Sequence, residues 1–346
     1  WWLSESSPPA ESVNFWRDYL GGARPLGWPT QEALEGDMLA TTGASIRHWS
    51  GELTALTQRS GITPAIASRI AVLVALHHHA RSDDVNVGIV RSGRDIDVAN
   101  ADEVIGPCVS VLPSRLRFEH DPSLLSLAKA EAEADRRARR HQHVTLAQLA
   151  RFCDLPGRAD LFDILVTFQS LAERDPEVET AAPWPVRQPP ERIHMPTNYT
   201  LSFEITPELH DGDKLELACF FDERIITQAE VDDVLKTVGT VLDYLTTAPC
   251  TAVSQLKLDS KAVARGPVAG RQVETNGTSS KTATAALTPA QSGLVVRLRK
   301  EWAAILRIDE DECGHDESFA SLGGDSVSLP FGIRCEVLRR LTNTSY

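Results

Sequence analysis

One serine near the end of the chain stands in a setting that suits covalent modification. It is Ser326, in the run Leu322-Gly323-Gly324-Asp325-Ser326. A serine hydroxyl is a poor nucleophile by itself, so its modification requires a fully exposed side chain at the start of a helix. Two glycines permit the tight turn that presents it, and the carboxylate of Asp325 suits the positive end of the following helix. The run predicts a modified serine, with an ordinary helix-capping turn as the alternative.

The residues before Ser326 predict the elements that hold it. A capping box at Thr288-Pro289-Ala290-Gln291 starts a helix, and Leu294 and Trp302 share an apolar face of that helix. An acidic loop then leads to the serine. We expect residues 288–346 to be the start of a small all-α bundle.

This order of helix, loop and serine resembles the peptidyl carrier (thiolation) domains of nonribosomal peptide synthetases. The resemblance implies that Ser326 carries 4'-phosphopantetheine, that Gly324 and Asp325 shape the attachment site, and that a phosphopantetheinyl transferase is a partner. The tail departs from the family pattern, because Pro330 and Gly332 fall inside the expected second helix, where proline removes a hydrogen bond. We therefore expect an incomplete carrier segment.

Composition restricts the partners. The 346 residues include 35 Lys and Arg against 48 Asp and Glu, a net charge of −13, which argues against nucleic acid or an anionic membrane as a partner. No run is apolar enough to span a bilayer and no signal peptide is evident, so we expect a cytoplasmic protein. The chain opens on Trp1-Trp2 rather than Met, and we expect it to be a fragment.

The cysteines do not indicate a metal or a disulfide framework. All six are scattered without paired spacing, so neither a zinc motif nor a set of disulfides is predicted. Cys108 and Cys219 fall in strand-like runs, and we expect both to be small buried side chains. The sequence therefore predicts no metal site.

Residues 1–255 alternate helical and strand patterns, which predicts an α/β fold. Thr63-Pro64 is typical of an N-cap followed by a first-turn proline, and the strand-like run Val85 to Val90 follows that helix. Asp121-Pro122 is expected to open another helix, and Thr227-Gln228-Ala229-Glu230 is a capping box before a further one. Strand-like runs also occupy residues 161–168, 199–205 and 215–221.

Five runs in this region resemble, in order, the landmarks of condensation domains from the same synthetases. They are Phe15-Trp16-Arg17-Asp18-Tyr19-Leu20, Gly88-Ile89-Val90-Arg91-Ser92-Gly93-Arg94, Ile105-Gly106-Pro107 through Leu112-Pro113-Ser114-Arg115, Leu161-Phe162-Asp163-Ile164-Leu165-Val166-Thr167-Phe168-Gln169, and Thr197-Asn198-Tyr199-Thr200-Leu201. Their order matches the C-terminal lobe of that family. The resemblance implies a chloramphenicol-acetyltransferase-like lobe, a mixed sheet with flanking helices, and an active site in a tunnel between two such lobes.

The catalytic motif of that family, His-His-x-x-x-Asp-Gly, belongs to the other lobe, and we expect it upstream of residue 1. A similar run, His78-His79-Ala80-Arg81-Ser82-Asp83, lies at the end of a helix rather than after a strand, and Asp84 replaces the glycine. We interpret these histidines as structural, with metal binding as the lesser alternative, and we name no catalytic residue in this chain. His141 and His143 are expected to be solvated residues at a helix end.

Arg94 has two interpretations of equal weight. The resemblance implies that this arginine pairs with the aspartate of the catalytic motif and joins the two lobes, and a guanidinium suits such a bidentate partner. A solvated loop residue is the alternative. Ser110 and Val111 stand where the family has Asn-Thr, so the chemistry of the tunnel wall departs from the family pattern.

The two resemblances divide the chain into three parts. Residues 1–255 are the expected condensation lobe, residues 256–287 a flexible linker, and residues 288–346 the partial carrier domain. An adenylation domain of several hundred residues normally separates these two domains, and none fits here. A condensation–carrier order without adenylation resembles the C-terminal arrays of fungal hydroxamate-siderophore synthetases.

The resemblance implies a division of labour along the chain. The carrier segment would hold an aminoacyl or peptidyl thioester at Ser326, and the lobe would help an acceptor amine attack a donor thioester. The implied partners are the upstream condensation lobe and the adenylation and carrier domains of the same synthetase. Two alternatives stay open: a non-catalytic module that docks carriers, and an acyltransferase of the same superfamily. We expect that this chain alone forms no peptide bond.

Overall fold

A computed structural model describes residues 8–27, 42–94, 108–155, 161–169, 199–208, 211–223 and 225–258, together with six positions between 296 and 303. The first seven ranges form one mixed sheet flanked by helices. The six later positions are helical, which agrees with the helix predicted to start near residue 288. The α/β architecture expected for residues 1–255 is confirmed.

Six strands form the sheet in the order β1-β6-β5-β4-β2-β3. They are β1 (Thr42–Ser50), β2 (Asp84–Arg91), β3 (Ser110–Arg117), β4 (Ile164–Phe168), β5 (Leu201–Glu208) and β6 (Asp211–Asp222). Strands β2, β4 and β5 run parallel, with Ile89 opposite Val166 and Phe168 opposite Ile205. The other pairs are antiparallel. The ends of the three parallel strands therefore meet at one side of the sheet, which we call the carboxyl edge.

Six helices accompany the sheet within residues 8–258 as far as these are described. They are α1 (Ala10–Leu20), α2 (Leu53–Ser60), α3 (Pro64–Ala80), α4 (Leu124–Arg139), α5 (Leu146–Phe152) and α6 (Gln228–Thr247). The starts of α3 and α6 are those predicted from the sequence. The Thr63 hydroxyl accepts the backbone N–H of Ile66, and Thr227 and Glu230 form a reciprocal capping box, so each helix satisfies N–H groups that its own turns leave free.

The main core lies between the sheet and the helices α3 and α6. Every residue of α3 from Ile66 to Leu76 is buried, because the sheet, α4 and α6 all pack against this helix. Leu73 is fully buried there, and burying a side chain of that size stabilises the fold by roughly 1.5–3 kcal/mol. A second, smaller core lies under α1, around Trp16 and Phe162.

The structure corrects the predicted start of α4. That helix begins at Leu124 with Ser123 as its N-cap, later than the Asp121-Pro122 pair suggested. His120 and Asp121 have positive φ angles of 60° and 49°, which a right-handed helix does not contain. The Asp121 carboxylate instead accepts hydrogen bonds from the backbone N–H and the hydroxyl of Ser254, at 2.9 and 2.6 Å. This loop therefore ties the residues after α6 to the start of α4.

Two expectations for single side chains are wrong and one is confirmed. Cys219 is buried in β6, as predicted. Cys108 is only partly buried and precedes β3, because the strand begins at Ser110. His141 is not a solvated residue, since its Nδ1 lies 2.9 Å from the Ser12 hydroxyl and its ring stacks on Phe15 at 4.4 Å.

Candidate functional site

Arg94 lies just beyond the end of β2, at the carboxyl edge of the sheet. The turn before it requires glycine: Gly93 has a φ of +64°, and a Cβ there would lie 1.7 Å from the carbonyl oxygen of Cys108. The Ser92 hydroxyl accepts the backbone N–H of Arg94 at 3.4 Å. The close approach of Gly93 to the Cys108 carbonyl oxygen fixes the path of the chain after β2. That Arg94 pairs with the other lobe stays a prediction.

Three residues earlier, Arg91 belongs to a buried ionic network that joins β2 to two helices. Asp135 of α4 accepts hydrogen bonds from Arg69 of α3 and from Arg91, each at 2.6 Å, and from Arg139 at 3.0 Å. Arg69 also donates to Glu131 at 2.7 Å. The end of β2 is thus held by charge-assisted hydrogen bonds rather than by packing alone.

The pKa values of Asp135 and Arg69 are shifted in the direction expected for paired charges, whereas burial lowers the pKa of Arg91. Burial by itself would raise the pKa of Asp135, but Arg69 and Arg91 lower it to about 2. Burial would lower the pKa of Arg69, whereas Glu131 and Asp135 raise it. Asp135 and Arg69 are therefore charged at neutral pH. Asp135 favours the folded state above the ordinary carboxyl pKa, and that contribution is lost as the pH falls towards 2.

The sequence landmarks come together around the second core. Trp16 of α1 is fully buried and donates its indole N–H to the carbonyl oxygen of His141 at 2.8 Å. Phe162 packs in the same cluster and stacks on Tyr199, with ring centroids 5.9 Å apart. A Cβ on Gly88 would lie 2.3 Å from the Phe162 ring. The run that begins at Leu161 can therefore pack against β2 only because residue 88 is a glycine.

The histidine run that resembles the catalytic motif has a structural position, as the sequence predicted. His78 and His79 end α3, and β2 begins at Asp84. The His79 ring is buried, with Nε2 2.9 Å from the Thr237 hydroxyl of α6. Burial and the neighbouring His78 lower the pKa of His79 to about 4, so the ring is neutral at neutral pH. Asp83 is exposed and lies 3.6 Å from His77.

The predicted attachment site, Ser326 with Gly324 and Asp325, lies outside the described residues. Its residue types fit phosphopantetheine, because a serine hydroxyl forms a phosphodiester and small neighbours leave it accessible. Trp302 and Ala303, from the helix expected before it, are helical, and Ala303 is buried. When bound, the group supplies a thiol that carries an acyl chain as a thioester.

The described ranges contain no group of three or more His, Cys, Asp or Glu side chains that could hold a metal ion. No single helix in these ranges is long and apolar enough to cross a membrane. Taken together, α2 and α3 are long and apolar enough, but the two helices meet at an angle of 103°.

Comparison with protein families shows which family the sheet and its helices belong to. Residues 3–265 match the condensation domain family, which is more than half of the chain. The chain belongs to the condensation domain family. A second match, to the phosphopantetheine attachment site, covers residues 296–329 and contains Ser326. That match implies 4'-phosphopantetheine as the cofactor, as predicted.

The curated relatives are nonribosomal peptide synthetases and related synthases. The chain is 26% identical over 269 residues to the nonribosomal peptide synthetase agiA of Aspergillus flavus, covering 73% of this chain and 3% of that protein. It is 26% identical over 213 residues to the chondramide synthase of Chondromyces crocatus, covering 60% of this chain and 5% of that protein. The chain therefore spans only a small part of these relatives.

Solved structures confirm the fold. The X-domain from teicoplanin biosynthesis matches with a TM-score of 0.59 and 20% identity, over 71% of this chain and 56% of that one. The condensation domain of the monacolin K polyketide synthase matches with a TM-score of 0.53 and 15% identity, over 70% and 58%. These likenesses support the chloramphenicol-acetyltransferase-like, mixed-sheet lobe expected from the sequence.

Proposed function

We propose that the chain is part of a nonribosomal peptide synthetase, with a condensation lobe followed by a carrier segment that is loaded at Ser326. The observation that supports this most is the order of the two family matches in one chain, residues 3–265 and then 296–329. A lobe of this fold followed at once by an attachment serine suits the handling of acyl groups on carriers. The upstream lobe, adenylation and carrier domains, and the phosphopantetheinyl transferase are the proposed partners, in the cytoplasm.

Loading transfers a phosphopantetheinyl group from coenzyme A. The Ser326 oxygen forms a bond to the phosphorus next to the pantetheine, the pyrophosphate P–O bond breaks, adenosine 3',5'-bisphosphate leaves, and the serine gives up its proton. In the proposed condensation, an amine attacks a thioester carbonyl, a C–N bond forms, the C–S bond breaks and a thiol leaves. Positioning supplies much of the rate of such a step, and a histidine from the other lobe would orient the amine or accept its proton.

The spacing of the two matches supports a more specific proposal. Only residues 266–295 lie between them, which leaves no room for an adenylation domain. We assign the chain on this ground to an array in which an adenylation domain elsewhere in the synthetase loads the carrier, and siderophore synthesis is the product class that we propose for it.

Intact-mass spectrometry tests the carrier assignment. The chain is incubated with coenzyme A and a promiscuous phosphopantetheinyl transferase, beside Ser326→Ala and the matched control Ser328→Ala. We expect one phosphopantetheine adduct on the wild type and on Ser328→Ala, and none on Ser326→Ala. An adduct that persists in Ser326→Ala, or none on any chain, would contradict the assignment.

One observation favours a second candidate, a lobe that docks a partner without chemistry. The chain also resembles the X-domain in its complex with OxyB from teicoplanin biosynthesis, with a TM-score of 0.57, 19% identity, and coverage of 72% of this chain and 55% of that one. That structure is a complex of the X-domain with a second protein, OxyB. Amide formation by the longer protein from two loaded carriers would favour condensation, and retained partner binding without amide formation would favour docking.

A further inference from the structure

A cavity of about 240 Å³ opens at the carboxyl edge of the sheet, beside the first two turns of α3. Val166 and Phe168 of β4 belong to its apolar wall, and Arg69, Arg91 and Arg139 to its polar wall. In sheets with parallel strands, ligands commonly bind beyond the carboxyl ends of those strands. The first turns of α3 also bring the positive end of a 17-residue helix to the cavity.

The polar wall carries more positive than negative charge. The three arginines face two carboxylates, Glu131 and Asp135, and the side chains of both carboxylates are almost completely buried, 2% and 5% exposed. The three guanidinium groups line the cavity, whereas neither carboxylate does.

Two polar groups at the cavity have no hydrogen-bond partner within the described part of the chain. The Ser68 hydroxyl is fully buried and unpartnered, and so is the Nε of Arg91. Both residues line the cavity. A buried donor without an acceptor destabilises the fold, so an acceptor atom placed in the cavity would satisfy donors that have no partner in the described part of the chain.

We propose that this cavity binds a small organic anion, with an oxyanion head at Ser68, Arg91 and Arg139 and a short apolar body against Val166 and Phe168. The head is a carboxylate or a phosphate, because both present acceptor oxygens in the plane that a guanidinium fork matches. Because one wall of the cavity is apolar, a ligand with a hydrocarbon part is expected to bind more tightly than a bare anion. The site lies on the side of the sheet that carries α3, and it does not depend on loading of Ser326.

Isothermal titration calorimetry with four probes tests the proposal on the full chain. Hexanoate and hexyl phosphate present the whole ligand, inorganic phosphate presents the head alone, and hexanol presents the body alone. We expect one of the two hexyl anions to bind at least tenfold more tightly than hexanol and than inorganic phosphate. The tighter of the two identifies the head group. Equal affinity for all four probes, or binding of none, would overturn the proposal.

Helix α4 offers a matched pair of variants. Arg139 and Arg136 are similarly exposed, 50% and 56%, and each is paired with a carboxylate of its own helix, but only Arg139 lines the cavity. Arg139→Gln is expected to weaken binding of the hexyl anion about tenfold, the loss of one charged hydrogen bond, and Arg136→Gln to leave it unchanged. Equal effects of the two variants would mean that the anion binds elsewhere.

A second pair of variants leaves the charged residues themselves unchanged. Ala65→Trp adds a large side chain at a residue of the cavity lining, and Ser68→Ala removes only the unpartnered hydroxyl. We expect Ala65→Trp to abolish binding and Ser68→Ala to weaken it several-fold, with thermal unfolding midpoints close to that of the wild type. Undiminished binding in a folded Ala65→Trp protein would refute this location for the site.

Discussion

Acidification should destabilise the fold through a single buried histidine. His79 is in the last turn of α3, and its Nε2 lies 2.9 Å from the hydroxyl of Thr237 in α6. That hydroxyl donates its own proton to the carbonyl oxygen of Asp233 at 2.9 Å. The ring therefore donates to Thr237 as a neutral imidazole. Protonation places a second proton on a ring that is only 6% exposed, and the folded state resists this charge.

The magnitude follows from the shift in pKa. The pKa of His79 falls from 6.5 in the unfolded chain to about 4 in the folded one, so below pH 6.5 the unfolded state binds more protons and stability falls as the pH falls. The whole effect, complete near pH 4, is roughly 3 kcal/mol, at 1.36 kcal/mol for each pKa unit. Between pH 7 and pH 5 the expected loss is about 2 kcal/mol.

Urea unfolding at pH 7 and pH 5 measures this loss. His79→Gln keeps an amide N–H that can donate to Thr237 but cannot take up a proton, so its free energy of unfolding should depend less on pH by about 2 kcal/mol over that range. The comparison between variants removes the contribution of His78, whose pKa is also lowered by burial. Equal pH dependence in the wild type and His79→Gln would refute the reasoning.

Two further predictions concern the end of β2 and its anchor. Arg69→Met should lower the free energy of unfolding by about 3–5 kcal/mol in urea titration, because it leaves buried carboxylates without their cation. Arg136→Met, at an exposed ion pair, should change it by about 1 kcal/mol or less. A loss at Arg69 as small as that at Arg136 would contradict the account. Gly93→Ala should cost more stability than Gly61→Ala, since both have positive φ, 64° and 72°, but only Gly93 faces a backbone oxygen; equal melting temperatures would contradict this.

Local signals in the sequence were sufficient for several elements. Thr63-Pro64 and the Thr227 capping box predicted the starts of α3 and α6 because each signal is contained within one turn. Strand β1 was not predicted, since its sequence Thr42-Gly43-Ala44-Ser45-Ile46-Arg47-His48-Trp49-Ser50 has few β-branched residues. It is a strand because it pairs along its length with β6. The short helices α2 and α5 were not predicted from the sequence either.

The ionic network at the carboxyl edge was also missed, for a different reason. Arg69 lies within the most apolar helix, and its partners Glu131 and Asp135 follow 62 and 66 residues later. One signal was available: a charged residue within the apolar run of α3 requires a buried partner. The spacing of Glu131 and Asp135, four residues apart on one helix, was the matching signal.

Mapping the modified residue tests the central claim most directly. The chain is loaded with phosphopantetheine and digested with trypsin, and the peptide of residues 308–334 is fragmented in the mass spectrometer. This peptide contains Ser318, Ser321, Ser326 and Ser328. The account predicts that the phosphopantetheine is on Ser326 and on no other serine of the peptide. A modification on any of the other three, or an unmodified peptide from a chain incubated with active transferase, would contradict it.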